Sequence, residues 1–192
     1  MKKSQLKTAF SFLVVMTMMG AMACSDASKT EDSKVVSEEH NEAKFENTKI
    51  EPDAQFLVDA AEINLEEIKL SNLALDKSTN DDVKGLAKMI SDSHTSSMND
   101  LIGLAGKKTI SIPTTATNDA EKAYEKLMNK TGNDFDKEYC EMMVKGHKDA
   151  ISIFSTATTE SVDMDIKNWA ISTLPNLRAH SDQAINCQSK LK

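Results

Sequence analysis

The chain has 192 residues and a formal net charge of −7, from 23 basic and 30 acidic side chains. An acidic chain without a basic face is repelled by nucleic acid and by anionic lipid, so its composition argues against both as charge-driven partners. The cysteine count of three is odd, which in an exported protein requires an explanation for the third thiol.

The first 23 residues have the pattern of a signal peptide. Lys2, Lys3 and Lys7 precede an uncharged, mostly apolar stretch over 10–22 that leads to a small residue. This stretch is too short to span a bilayer, which needs about 20 apolar residues. The sequence therefore predicts an exported protein from which residues 1–23 are removed.

Cys24 stands directly after the predicted cleavage point. The preceding segment, 21–23, resembles a loose lipobox but also fits the pattern cut by the ordinary signal peptidase. If Cys140 and Cys187 pair with each other, Cys24 is left as the cysteine for lipidation. We therefore predict a lipoprotein anchored through Cys24. Because Ser25 is not the Asp retention signal, the outer membrane is favoured, at its periplasmic face or at the cell surface.

The mature chain divides into a tether and one domain. Residues 24–51 are polar and acidic, which predicts a disordered tether because such a segment buries too little apolar surface to offset its ordering entropy. His40 lies in this tether, and we expect it to be solvated. Residues 52–192 are long enough for a single domain.

Hydrophobic periodicity in this domain is helical throughout, with no strand-like alternation of useful length. The pattern predicts an all-α fold, an antiparallel four-helix bundle with an extra short helix in the long middle connection. We expect the long helices to begin at Pro52, after 78–81, near Asp134 and after 158–159, and the short one to span 118–130.

Each long helix carries one ionisable residue in its otherwise mostly apolar seam: Glu67, His94, His147 and His180. Burying such groups costs several kcal/mol unless they find partners, so we expect the four side chains to meet. One carboxylate and three imidazoles suit a single zinc, iron or copper ion. Seam histidines in bundles are more often structural than ligands, so the favoured interpretation is a metal-free polar network in which Glu67 stabilises a protonated histidine, and the metal site is the alternative.

The spacing of two cysteines and two histidines predicts the register of the last hairpin. In antiparallel helices, residues at one level have a constant sum of residue numbers. Cys140 and Cys187 have the same sum as His147 and His180, so one alignment makes both pairs level. We predict a disulfide between the two cysteines; the alternative is two reduced, buried thiols.

A spaced set of residues extends through both halves of the domain: Phe56, Glu67, Ile68, Leu70, Leu73, Ala74, Val83, Met89, Ile90, His94, Thr95, Phe135, Asp136, Tyr139, His147, Ala150, Phe154, Leu174, Pro175, Leu177 and His180. This set resembles the bacterial family known as domain of unknown function 4142. This resemblance implies an exported protein with a ferritin-like helical fold, in which the four seam residues match recurring family positions. One departure is Ser93, where the family commonly has an acid before the second-helix histidine.

A ferritin-like fold does not by itself imply ferritin chemistry. A di-iron site needs Glu three residues before His, but Ser91 and Leu177 stand at those positions. Gly-rich phosphate loops and serine-hydrolase motifs are also missing, so we expect no enzymatic activity.

We therefore predict a cell-envelope lipoprotein that binds an unknown protein or small-molecule partner, or supports the envelope under stress. The alternative is a metal-binding protein for copper, zinc or iron. A third possibility is a bundle that responds to pH through its seam histidines.

Overall fold

The structure is a computed structural model that describes residues 31–191. Within this range the chain forms helices and no strands, which confirms the all-α prediction. No helix among these residues has the length and apolarity that a bilayer span requires. The predicted signal peptide and Cys24 lie outside the described residues. The helices are α1 (Ser33–Phe45), α2 (Glu51–Lys77), α3 (Asp81–Lys108), α4 (Asn118–Met128), α5 (Gly132–Glu160) and α6 (Met164–Lys190).

Capping side chains define several helix starts. The side chain of Asn80 accepts hydrogen bonds from the first backbone amides of α3, Thr117 caps α4, and Asp163 caps α6. Each cap satisfies backbone amides that have no partner inside the helix. In α2, Pro52 occupies the first turn, where a missing N–H is harmless. The predicted starts of the long helices are therefore accurate to within a few residues, and α4 lies in the middle connection as expected.

The disordered tether predicted over 24–51 is wrong for the segment that forms α1. Asp32 caps this helix, and Asn41 bonds to both backbone groups of Ser111 in the connection between α3 and α4. The ammonium of Lys34 lies 2.6 Å from the carboxylate of Glu62 on α2. These polar contacts to the bundle order a segment with too few apolar residues to fold alone. His40 is exposed on α1, so it is solvated as expected.

The four long helices form two hairpins, α2 with α3 and α5 with α6. Their buried side chains form two separate apolar clusters along the bundle. One cluster centres on Phe56, whose ring packs edge-on against Phe154 at 5.0 Å, and the other contains Leu70 and Tyr139. Along each long helix, the ionisable seam residue falls between the residues of these clusters. The bundle therefore contains a buried polar layer with an apolar core on either side.

Cys140 and Cys187 lie level on α5 and α6, as the register predicted, with their sulfur atoms 2.8 Å apart. Both are buried and free. A disulfide would bring the sulfurs to about 2.05 Å, so the predicted covalent bond is not present in this structure. The two cysteine side chains nevertheless lie as close together as the predicted register requires.

Candidate metal centre

The polar layer brings together all four predicted seam residues, one from each long helix. Glu67 of α2, His94 of α3, His147 of α5 and His180 of α6 are each at most 5% exposed. The three imidazole rings are mutually adjacent, with centroids between 5.2 and 5.5 Å apart. Each ring offers one nitrogen such that the three nitrogens lie within 4.8 Å of one another. Small side-chain movements would bring all three nitrogens to the distance of about 2.0–2.1 Å at which zinc binds imidazole.

Asn64 fixes the orientation of the His94 ring. The amide nitrogen of Asn64 donates to the carbonyl of Ala60 at 2.8 Å, so its oxygen faces His94 Nδ1 at 2.9 Å. Because that oxygen only accepts, His94 Nδ1 carries the hydrogen. The other ring nitrogen, Nε2, therefore presents a lone pair to the polar layer when the ring is neutral.

His147 is oriented in the same way by two acceptors. Its Nδ1 lies 2.9 Å from the carbonyl oxygen of Met143 and 3.2 Å from Glu67 Oε1. Nδ1 is therefore the donor, and Nε2 faces His180 Nδ1 at 3.2 Å. Metal-binding histidines typically donate their second N–H to a carbonyl or carboxylate in this manner, which holds the ring in its binding orientation.

The carboxylate of Glu67 is buried without hydrogen-bond partners for either oxygen, and His94 Nε2 also has none. Oε2 and that nitrogen are 3.1 Å apart, close enough to count as an ion pair but without hydrogen-bond geometry. Burial opposes ionisation of Glu67, but the adjacent His94 and His147 outweigh it and hold the pKa of the carboxyl below its usual range. A buried, ionised carboxylate requires a positive partner, which is either an imidazolium of the cluster or a bound cation.

Two of the rings are held in the neutral form that binds metals. Burial, opposed in part by Glu67, lowers the pKa of His147. Burial and the two neighbouring histidines lower the pKa of His180 to about 4. A histidine must be deprotonated at its ligating nitrogen to coordinate an ion. At neutral pH the layer therefore offers ligand-ready imidazoles beside a negative charge.

Gly146 provides the space for the Glu67 carboxylate. A Cβ atom at this position would lie 2.9 Å from Glu67 Oε1, closer than ordinary side-chain contacts. A glycine inside a helix costs roughly 0.5–1 kcal/mol relative to alanine. Gly146 lies in the middle of α5, where the absence of a Cβ atom lets the Glu67 carboxylate from α2 approach the helix closely.

We expect Gly146→Ala to displace the carboxylate and to weaken metal binding about tenfold, the lower end of the effect of losing a supporting group around a metal. Isothermal titration with zinc measures this change. The control is Gly103→Ala on α3, where a Cβ meets nothing within 4 Å. That variant should keep the wild-type affinity and gain about 0.5–1 kcal/mol in unfolding free energy. Equal affinities for the two variants would show that Gly146 has no role in the site.

The sequence predicts the four ionisable residues of the site but not the contributions of Asn64, Gly146 and the carbonyl of Met143. Asn64 precedes Glu67 by one helical turn, so its place on the same face was a readable signal. An isolated glycine within a helical pattern was also visible. However, Asn64 and Gly146 each contact a residue of another helix, and Met143 contributes only its backbone carbonyl. Such contacts cannot be read from the periodicity of one helix.

The fold and the buried cluster define an all-helical protein with a His-rich polar layer. The profile of the family described as Domain of unknown function (DUF4142) matches residues 37–186, and the chain belongs to this family. Among solved structures, the chain is similar to a DUF305 fragment from Deinococcus radiodurans, with a TM-score of 0.65 and 14% identity over 73% of this chain and 97% of that chain. At this identity the likeness concerns the fold alone. No curated protein matches the chain.

Proposed function

We propose that the helical domain binds a single first-row transition-metal ion through His94, His147 and His180. The supporting observation is the convergence of three buried imidazoles whose donor nitrogens lie within 4.8 Å of one another. The hydrogen bonds of His94 and His147 direct their Nε2 atoms toward the layer. Glu67 supplies a compensating negative charge, with its Oε1 atom 3.2 Å from His147 Nδ1.

The donor set favours zinc or copper over hard cations. Imidazole nitrogen suits both metals, whereas calcium and magnesium prefer oxygen ligands. Iron storage does not fit, because the positions three residues before two of the histidines are Ser91 and Leu177 rather than bridging glutamates. We therefore assign the domain to metal binding or handling and derive no catalytic step from it.

The competing function is the one that sequence alone favoured, a non-enzymatic envelope module whose histidines only stabilise the bundle. The Glu67 oxygens lie 3.1 Å from His94 Nε2 and 3.2 Å from His147 Nδ1 without hydrogen-bond geometry, whereas a purely structural network is expected to satisfy its buried polar groups more fully. Only the purely structural role of the histidines competes with metal binding. A location in the cell envelope is compatible with either role.

Elemental analysis of protein without a histidine tag tests the proposal. After incubation with zinc or copper and removal of the excess, we expect one ion for each chain. His147→Ala and His180→Ala should lose it. His40→Ala is the matched control, because His40 is exposed on α1 and outside the cluster. Absence of bound metal in the wild type, or equal loss in His40→Ala, would contradict the proposed site.

We also propose that the mature protein is an outer-membrane lipoprotein anchored through Cys24, with its domain a ferritin-like four-helix bundle. The close sulfurs of Cys140 and Cys187 support a disulfide in an oxidising compartment. It would form by thiol–disulfide exchange, in which the disulfide of an exchange partner takes up two electrons and two protons and becomes two thiols.

The intact mass of protein purified from membranes tests both cysteine assignments. We expect a chain that begins at Cys24, carries acyl groups there, and has two hydrogens fewer than the reduced form. Reduction and alkylation should then label Cys140 and Cys187 but not Cys24. An unmodified Cys24 would contradict the anchor, and labelling of both remaining cysteines without prior reduction would contradict the disulfide.

A further inference from the structure

A cavity of about 170 Å³ lies between α3 and α6 and reaches the histidine cluster. We call it the α3–α6 cavity. Its volume accommodates several water molecules, each of which needs roughly 10–15 Å³ by this type of measure. The residues used below to define it are Ser97, Asp100, Ser172 and Asn176 toward solvent, and His94 and His180 at the buried end.

The chemistry of this cavity suits small polar ligands. Hydroxyl and amide side chains form much of its wall, and Asp100 is its one acidic residue. Asp100 and Asn176 are exposed, Ser97 is half-buried, and the two histidines are buried. The cavity therefore connects solvent with the edge of the polar layer along a path lined largely by polar side chains.

The three proposed protein ligands leave one coordination position of the ion for an additional donor on the side of the α3–α6 cavity. The compact donor set consists of three imidazoles, whereas a four-coordinate ion takes four ligands. Glu67 does not line the cavity, and it contacts His94 and His147 rather than His180. His94 contributes an Nε2 atom that is buried and without a hydrogen-bond partner, and its ring lines the cavity.

We infer that the bound ion keeps an exchangeable coordination position that faces the α3–α6 cavity and accepts a small lone-pair donor such as water or an azide-like anion. This inference rests on the proposed metal binding. Three protein ligands with an open position are typical of sites that exchange ligands, whereas structural sites are closed by four protein ligands. The site is accordingly built for contact with a diffusible molecule.

Azide binding to cobalt-loaded protein tests the inference. Cobalt(II) replaces zinc in nitrogen-ligand sites and reports its ligands through visible absorption. We expect a saturable change of the cobalt spectrum on addition of azide to the wild type. Phenylalanine in the cavity should obstruct the anion, so Ser97→Phe and the exposed Ser172→Phe should each raise the azide Kd at least about tenfold while cobalt stays at one ion per chain.

Ser189→Phe is the matched control, because Ser189 is an exposed serine on the same helix and outside the cavity. Its azide affinity should equal that of the wild type. If cobalt binds but azide leaves its spectrum unchanged, or if both cavity variants keep the wild-type affinity, the open position is wrong while metal binding stands. If cobalt does not bind at all, the proposed function fails together with this inference. Because Ser172 lies at the exposed end of the cavity, Ser172→Phe is expected to fold even if Ser97→Phe does not, and it then tests the inference alone.

Discussion

Zinc at a free concentration about 1,000 times its Kd is expected to raise the free energy of unfolding by about 4 kcal/mol, because the ion binds the folded chain and not the unfolded one. For a domain of this size, that gain corresponds to roughly 8–16 °C in melting temperature. The physical source is the ion's attraction to the buried Glu67 carboxylate and its coordination by three rings already held in place. Thermal melting with increasing zinc, followed by a chelator, measures the gain and its reversal.

Two variants test whether the stabilisation by zinc depends on the histidine cluster. His147→Ala should melt at the same temperature with and without zinc, since it removes the ring at the centre of the hydrogen-bonded set. His40→Ala should keep the full shift. A shift of wild-type size in His147→Ala would mean that zinc stabilises the protein from another place.

Glu67→Gln is expected to weaken metal binding by 10–100-fold, roughly 1.4–2.8 kcal/mol, while leaving the stoichiometry at one ion. The amide keeps the size of the side chain but removes the charge that compensates a divalent cation. It also replaces one of the two acceptor oxygens near His94 and His147. Competition against a chelator of known affinity measures the loss.

The neighbouring residue offers a matched control. Glu66 is half-buried on the same helix, and burial together with repulsion from Glu67 raises its pKa to about 7. Glu66 takes no part in the contacts that join Glu67 to His94 and His147, so Glu66→Gln should bind metal as the wild type does. Equal losses in the two variants would indicate a general electrostatic effect. A loss of 3–5 kcal/mol in metal-free Glu67→Gln would instead favour the structural network, because that is the usual effect of breaking a buried ion pair.

Much of this architecture could be predicted because helical periodicity is a strong signal over long segments. The seam positions of His147 and His180 follow from the same period that buries Phe154 and Leu177. Their pairing across the hairpin follows from antiparallel register, which the 3.2 Å contact between the rings reproduces. Backbone geometry therefore sufficed to predict which ionisable residues meet.

The features that could not be predicted depend on contacts between distant segments. For α1, the polar composition of the segment gave no indication that Asn41 would bond to the backbone of Ser111, 70 residues away. For the site, the meaning of Gly146 depends on the position of Glu67 on another helix. Local propensity is silent on such contacts, because tertiary partners and not the segment itself determine them.

The division of the core into two apolar clusters has a consequence for cooperativity. Each cluster can hold its own end of the bundle, whereas the polar layer between them lacks hydrogen bonds at the Glu67 oxygens and at His94 Nε2. An ion bound by His94 on one hairpin and by His147 and His180 on the other would cross-link the two hairpins in the middle of the bundle. Metal would then join two partly independent folding units into one, and amide exchange should slow most in the middle turns of α3 and α6.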